Sequence, residues 1–201
     1  MAFFMQCYIR QESRPAAALR WLSLLLPTLA LLHAGIAEAQ GFTIRSVETH
    51  LRERVYLLNT RIEFGFSSEA QQALKSGIPI IILLDIEVEK ERSWWWNKTV
   101  ATLQQGYLLL YHALTEKYIV NNLNSSAQHD YTSLDATLAA LGRINDLPLI
   151  DSGLLDKDGH YRVRLRARLD IESLPASMRP LAYISSDWQL VSNWYTWFLQ
   201  R

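Results

Sequence analysis

Hydrophobic and polar residues alternate along much of the chain beyond residue 40, and a period of two predicts β-strands. A strand with this pattern buries one face and leaves the other in polar surroundings. Alternation, or a β-branched and aromatic composition, marks strands at residues 42–51, 55–64, 78–89, 99–112, 118–123, 147–150 and 160–172. Most of the chain is therefore predicted to be β-structure.

Two short segments carry helix signals instead. Ser68, with Gln71 three residues later, forms a capping-box pattern, and Gly77 supplies a stop signal. Ser133 is an N-cap candidate for a second helix at residues 134–141. Strands in hairpin order with two short helices predict a mainly β fold with minor α content, an antiparallel β-sandwich or curled sheet.

The tryptophan-rich C-terminus fits two periods. Residues 188, 190 and 194 alternate as in a strand, whereas the apolar residues at 194, 197 and 198 also suit a helix. We favour a short turn at residues 186–190 and a closing strand at 193–199, with a helix as the alternative.

The first 39 residues follow a different pattern. Arginines at positions 10, 14 and 20 precede an apolar run at residues 21–34, and Ala37, Glu38 and Ala39 follow it. This order is typical of a secretory signal peptide with cleavage after Ala39. An uncleaved anchor is the alternative, but a spanning helix needs about 20 apolar residues, and Pro27 and His33 interrupt this run. We therefore predict a signal peptide at 1–39 and a single mainly β periplasmic domain at 40–201.

Composition removes several classes of function. The 20 basic residues balance the 20 acidic ones. The chain therefore lacks the basic excess that is typical of nucleic-acid-binding proteins. The single cysteine, Cys7, lies in the predicted signal peptide, so the exported chain would lack disulfides and thiol chemistry. Histidines at 50, 112, 129 and 160 lack metal-ligand spacing, and His129 beside Asp130 does not by itself make a catalytic pair. We predict no metal, no cofactor and no catalytic residue.

The sharpest charge pattern lies in the strand predicted at 160–172. One face carries Arg162, Arg164, Arg166 and Arg168, and the other carries Val163, Leu165, Ala167, Leu169 and Ile171. A matching acidic series in the strand at 78–89 consists of Asp85, Glu87 and Glu89. If the strands are neighbours, these charges form cross-strand ion pairs worth about 0.2–1 kcal/mol each. If not, the arginines form a basic strip for a lipid head group or a phosphorylated glycan. We favour the ion pairs, because alternating charge is ordinary on a solvated sheet face.

Three consecutive tryptophans form the second pattern. Trp94, Trp95 and Trp96 stand among the cations Lys90, Arg92 and Lys98. In an extended segment Trp95 points away from the other two, so at least one ring is expected off the core. A packed hairpin end with cation–π cover is favoured. A membrane-interface anchor, or a platform that stacks sugars or peptides, is the alternative.

Several aromatic motifs resemble one bacterial family. They are the run at residues 107–118 (YLLLYHALTEKY), the Ser133-Leu-Asp-Ala run, Leu174-Pro175, Arg179-Pro180 and the ending that places Trp188, Ser192, Trp194 and Trp197. The family is a proteobacterial set named domain of unknown function 4390, and the resemblance covers essentially the whole chain after the leader. It implies an exported protein of Gram-negative bacteria whose gene often lies beside a nitrogen-regulation-type sensor kinase. It carries no functional residues over.

These observations favour a non-enzymatic binding or accessory module of the envelope, with a membrane sensor kinase or another envelope protein as partner. The alternative is a periplasmic lipid- or glycan-binding protein that uses residues 162–168 and 94–96, which leaves contact with a membrane surface open. A hydrolase is least favoured, because no nucleophile, base and orienting group converge in any motif.

Export predicts a defined N-terminus. Because the small residues of the cleavage motif end at Ala39, the protein recovered from the periplasm should begin at Gln40 in N-terminal sequencing. Recovery of the full-length chain from the cytoplasm as the main species would contradict the localisation.

Overall fold

Two antiparallel β-sheets form the part of the chain that the computed structural model describes, which is residues 41–92, 94 and 96–199. The predicted signal peptide lies outside these residues. The strands are β1 (Gly41–Arg52), β2 (Val55–Gly65), β3 (Ile80–Lys90), β4 (Lys98–His112), β5 (Lys117–Asn122), β6 (Gln128–Tyr131), β7 (Arg143–Asp151), β8 (Tyr161–Leu169) and β9 (Tyr195–Phe198). The α-helices are α1 (Ser68–Lys75), α2 (Leu134–Leu141) and α3 (Arg179–Ile184), and single 3-10 turns lie at Ser152–Leu154, Ile171–Ser173 and Ser186–Trp188.

The two sheets differ in width. The smaller sheet has the order β1-β2-β7, and the larger has the order β6-β5-β4-β3-β8-β9. Buried side chains of both sheets belong to one hydrophobic core, and β1 packs across β8. The smaller sheet therefore covers the β8 side of the larger sheet, and the inner face near β5 and β6 needs another cover.

Helix α2 supplies that cover. It begins after Ser133, whose hydroxyl accepts a hydrogen bond from the Ala136 amide at 3.2 Å, and it packs on β5 and β6 as well as on β2 and β7. Gly142 ends the helix where the backbone of β2 passes very close. A Cβ at this position would lie 2.0 Å from the carbonyl oxygen of Ile62, so only glycine fits. The amide of Ile62 donates to the Gly142 carbonyl oxygen at 2.8 Å, which fixes the start of β7 against β2.

Strands β3 and β8 lie next to each other within the larger sheet and supply much of the core. Alternate residues of both strands are buried to 5% exposure or less: Ile80, Ile82, Leu84, Ile86 and Val88 in β3, and Val163, Leu165, Ala167 and Leu169 in β8. The antiparallel register pairs Ile86 with Leu165 and Val88 with Val163. Because strand side chains alternate in direction, the charged residues between these positions meet on the outer face.

The sequence-based fold class is confirmed, and the differences are local. The mainly β antiparallel architecture and the helices predicted between Ser68 and Gly77 and at 134–141 are present. The chain also closes with a strand, β9, rather than a helix, after a 3-10 turn at Ser186–Trp188. A third helix, α3, was not predicted from the sequence, and it has a proline in its first turn, where the missing N–H costs nothing. β8 ends at Leu169, so Ile171 lies in a 3-10 turn and is only half-buried.

Two strands differ from the sequence-based prediction, because they lack the alternation of polar and apolar residues that marks a strand. β6 has the polar sequence QHDY, which predicts a loop. β7 is nine residues long instead of four, and two register shifts against β2 break its period. Its Pro148 is tolerated because β7 is an edge strand. In the described part of the chain, no helix combines the length and the apolar character needed to cross a membrane.

Candidate functional site

The arginines of β8 and the carboxylates of β3 stand opposite one another on the outer face of the larger sheet. We call this set the ion ladder: Asp85, Glu87, Glu89, Arg162, Arg164, Arg166 and Arg168. The strand register pairs Asp85 with Arg166, Glu87 with Arg164 and Glu89 with Arg162. This is the arrangement that the ion-pair interpretation of the sequence requires.

Two carboxylates hold most of the contacts in the ion ladder. Oδ2 of Asp85 accepts from Nη2 of Arg166 at 3.0 Å and from Nε of Arg168 at 2.8 Å. Glu89 accepts from Nη2 of Arg162 at 2.6 Å and from Nη1 of Arg164 at 3.1 Å. A further contact of 3.7 Å joins Arg164 to Glu87, and another of 3.7 Å joins Arg168 to Asp170. Each of the four arginines thus has a carboxylate within 4 Å.

Burial and hydrogen bonding act in opposite directions on these carboxyl groups. The largest single effect on Asp85 is burial, which raises its pKa, but hydrogen bonds from Arg168, Gln104 and Arg166 together outweigh burial and leave the pKa below its ordinary value. The pKa of Glu89 is lowered in the same way, against burial, by hydrogen bonds from Arg162 and Asn97. Both carboxylates are therefore charged at neutral pH.

An indole ring covers the middle of the ion ladder. The guanidinium carbons of Arg164 and Arg166 lie 4.4 and 4.5 Å from the ring centroid of Trp194, within cation–π distance. Trp194 precedes β9, the strand that pairs with β8. With carboxylates below and an indole above, the arginines are engaged within the protein. Ligand binding by these residues remains a prediction, and it would require the pairs to open.

Two of the three consecutive tryptophans project from the protein. Trp94 is 91% exposed and Trp96 is 97% exposed, in the loop between β3 and β4. The packed hairpin end that the sequence favoured is therefore wrong for these two rings. Arg92 and Lys98, which flank the rings, are also exposed. Trp95 lies outside the described residues.

Further apolar side chains lie at the same end of the sandwich, which we call the tryptophan end: Trp94, Trp96, Leu154 and Phe198. Phe198 is opposite Arg162 in the β8–β9 pair and is 60% exposed, and Leu154, between β7 and β8, is 70% exposed. Lys90 anchors the 154–160 segment beside the loop through an ion pair with Asp156 at 2.5 Å. The antiparallel topology therefore gathers apolar groups that are far apart in the sequence.

A cleft of about 370 Å³ opens where the larger sheet extends past the smaller one, and we call it the β7 cleft. Apolar and aromatic side chains form its floor: Tyr107, Val120, Tyr131 and Leu141. Polar side chains form its rim: Asn122, His129, Arg143, Asn145 and Asp146. Sequence reasoning missed this site, because its residues come from five elements that only the fold brings together.

A bulge in β7 shapes the rim of the cleft. Two residues of β7, Asn145 and Asp146, stand against one residue of β2, Asn59. Asp146 has a φ of 54°, in the left-handed region, and its amide donates to Oδ1 of Asn59 at 2.8 Å. Its carboxylate contacts Arg52 at 2.8 Å and His50 at 3.3 Å. The hydrogen bond from Arg52 lowers the pKa of Asp146, so the group is an ion-paired carboxylate at neutral pH.

The described residues also bear on metal binding. Within residues 41–92, 94 and 96–199, no group of three or more His, Cys, Asp or Glu side chains is placed to hold a metal ion.

The model of one protein family, domain of unknown function 4390, matches residues 39–198. The chain belongs to this family. The matched region of domain of unknown function 4390 includes every strand and helix described above, and with them the ion ladder, the tryptophan end and the β7 cleft. No curated protein and no solved structure matches the chain.

The ion ladder predicts acid sensitivity. Because the pKa values of Asp85 and Glu89 are lowered in the folded protein, their contribution is complete above the unfolded carboxyl pKa of about 4 and is lost as the pH falls through the folded values. Asp85→Asn should lower the free energy of unfolding at pH 7 by about 1–3 kcal/mol and flatten its decline between about pH 5 and 2, as measured by urea denaturation.

Glu116→Gln is the matched control for this experiment. It removes a carboxylate of the β4–β5 turn that is exposed and forms no ion pair within the described residues, so stability at pH 7 should not change. Equal stability of Asp85→Asn and the parent at both pH 7 and pH 3 would show that the ladder is energetically silent.

Two tryptophan substitutions compare the contribution to stability of Trp194, which covers the ion ladder, with that of the exposed Trp94. Trp194→Ala removes the indole from two guanidinium groups and should lower the free energy of unfolding by about 1–3 kcal/mol. Trp94→Ala removes the same side chain from a site that is 91% exposed and should change stability by less than about 0.5 kcal/mol. An equal loss of unfolding free energy in the two variants, measured by chemical denaturation, would contradict this assignment.

Proposed function

We propose that this protein is an exported, non-enzymatic binding module of the bacterial envelope and that it contacts a protein partner through the tryptophan end. The observation that carries the proposal is the exposure of Trp94 and Trp96 at 91% and 97%. A single exposed aromatic residue is ordinary, but Trp94, Trp96, Phe198 and Leu154 give one end of the sandwich four exposed large apolar side chains.

Burial of these rings by a partner would release substantial free energy. A buried tryptophan removes roughly 200 Å² from water, which corresponds to about 5 kcal/mol before the costs of association are subtracted. Tryptophan and arginine are also the side chains most often found at the energetic centres of protein interfaces. Trp94, Trp96 and the exposed Arg92 between β3 and β4 have this composition.

The charges around the rings favour a protein over a membrane surface. An anionic membrane attracts segments that are uniformly basic. Here Lys157 stands between Asp156 and Asp158, and Glu91 precedes Arg92. Mixed signs suit complementary pairing with a protein. The family resemblance, which associates such genes with a sensor kinase, makes the exported part of that kinase the first partner to test.

Binding of a lipid or glycan is the second candidate. Exposed tryptophans beside Arg92 and Lys98 also suit the interface zone of a bilayer or the face of a sugar ring. The arginines assigned to the ligand in this candidate are already paired with the carboxylates of the ion ladder. Only the tryptophans could therefore contact a ligand without a rearrangement of these side chains.

Site-specific photocrosslinking in intact cells tests both candidates. A photoreactive phenylalanine analogue replaces Trp96 in the full chain, and the matched control carries it at Leu114, which is 92% exposed at the opposite end of β4. We expect position 96, and not position 114, to give one discrete protein adduct in the envelope fraction. Adding Trp94→Ala should weaken that adduct severalfold, because the second ring is removed.

The nature of the adduct decides the outcome. A protease-sensitive adduct that contains one membrane protein supports the proposal. A protease-resistant adduct of lipid or glycan mass moves the function to the second candidate. Identical adducts from positions 96 and 114, or none from either, would refute binding at the tryptophan end.

A further inference from the structure

We infer that the β7 cleft is a binding site for a small organic anion that has an aromatic or apolar body. This inference is independent of the tryptophan end, since the cleft is built from β4, β5, β6, β7 and α2. Three features of the cleft carry it: an apolar floor, a rim rich in hydrogen-bond donors, and an arginine that has no carboxylate partner.

The floor suits an apolar body. Val120 and Leu141 are buried, and the rings of Tyr107 and Tyr131 are half-buried beside them. Burial raises the pKa of Tyr107, so its hydroxyl stays neutral at physiological pH and adds no negative charge to the cleft. A cavity of about 370 Å³ with an apolar floor and a few polar groups has the form of a small-molecule site.

Arg143 is the uncompensated cation of the rim. It stands directly opposite Arg61 in the β2–β7 pair, a placement that is unfavourable for like charges. Neither guanidinium has a carboxylate within 4 Å among the described residues, in contrast to every arginine of the ion ladder. Glu48 lines a second cavity of about 380 Å³ together with both arginines, but it forms no ion pair with either among the described residues. A bound anion would supply the missing counter-charge.

The rest of the rim offers further hydrogen-bond donors. Oδ1 of Asn122 already accepts from Nε2 of Gln105 at 2.6 Å and from the amides of Asn124 and Ser125 at 2.9 and 3.1 Å. Its side-chain NH₂ therefore remains to donate. His129, opposite Val120 in the β5–β6 pair, supplies a ring nitrogen from the other wall.

One carboxylate, Asp146, lines the cleft, and it already forms ion pairs with residues outside the cleft. Arg52 and His50 hold it from the side of β1, so its charge is balanced without a ligand. The bulge that holds Asp146 at a φ of 54° also leaves Arg143 and Asn145 lining both the cleft and the second cavity. A strained residue held in place by surrounding contacts is a common feature of functional sites.

Three related probes test the inference on isotope-labelled protein obtained by expressing the full chain. They are 3-phenylpropionate, the uncharged 3-phenylpropionamide and inorganic phosphate, and backbone amide shifts are followed by NMR. We expect 3-phenylpropionate to give saturable shifts at residues 122, 127–131 and 140–148, with an affinity at least tenfold above that of the amide. Phosphate should shift the same residues more weakly, because it lacks the apolar body.

Two variants and a matched control locate the site. Arg143→Gln should reduce the affinity for 3-phenylpropionate at least tenfold and leave the amide probe unchanged. Arg61→Gln removes the opposite arginine, which lines the second cavity and not the cleft, and should stay within about twofold of the parent. Ala140→Leu fills the cleft and should block both organic probes.

The inference is overturned if 3-phenylpropionate gives no saturable shifts in these residues, or if the amide binds equally well. It is also overturned if Arg143→Gln and Arg61→Gln have the same effect. Because Arg143 is exposed, its variant should fold, and the dispersion of its amide spectrum verifies this.

Discussion

The antiparallel register between β3 and β8 determines both faces of the larger sheet. With Ile86 opposite Leu165, the apolar side chains of both strands enter the core, and Asp85 and Arg166 meet outside. A slip of one residue in either strand would turn its arginines or carboxylates into the core and its leucines and isoleucines outward. The burial of a charge without a partner costs far more than any single surface contact provides. The hydrophobic pattern and the charge pattern therefore specify the same register.

The ion ladder penalises any other register of β3 and β8. Paired charges that are partly removed from water gain little over apolar replacements, but a charge left without its partner is strongly unfavourable. Asp85 and Glu89 each serve two arginines, so a register error would leave several charges without partners at once. Trp194 adds a further contact, since its indole lies within cation–π distance of Arg164 and Arg166.

Both candidate binding surfaces lie where the two-sheet core ends. The tryptophan end is formed by the loops that join strands, and the β7 cleft is formed where six strands extend past three. The exposed side chains of the tryptophan end lie outside the core, whereas the floor of the β7 cleft is an edge of the core, since Val120 and Leu141 belong to it. The pairing of β3 with β8 keeps the scaffold under both surfaces fixed. Loops and edges on a rigid sheet are common positions for binding residues.

Local patterns in the sequence determined the regular strands, two of the three α-helices and the partners of the ion ladder. Alternation fixes which face a residue occupies, and the series Asp85, Glu87, Glu89 and Arg162 to Arg168 match in spacing. The polar β6 and the bulged β7 carried no such signal, because irregular pairing has no period. Only the tertiary structure decided that Trp194 covers the arginines, that Trp94 and Trp96 project, and that Arg143 meets Arg61 without a carboxylate. These outcomes depend on which distant strands become neighbours, and the pairing of distant segments depends on the packing of the whole core.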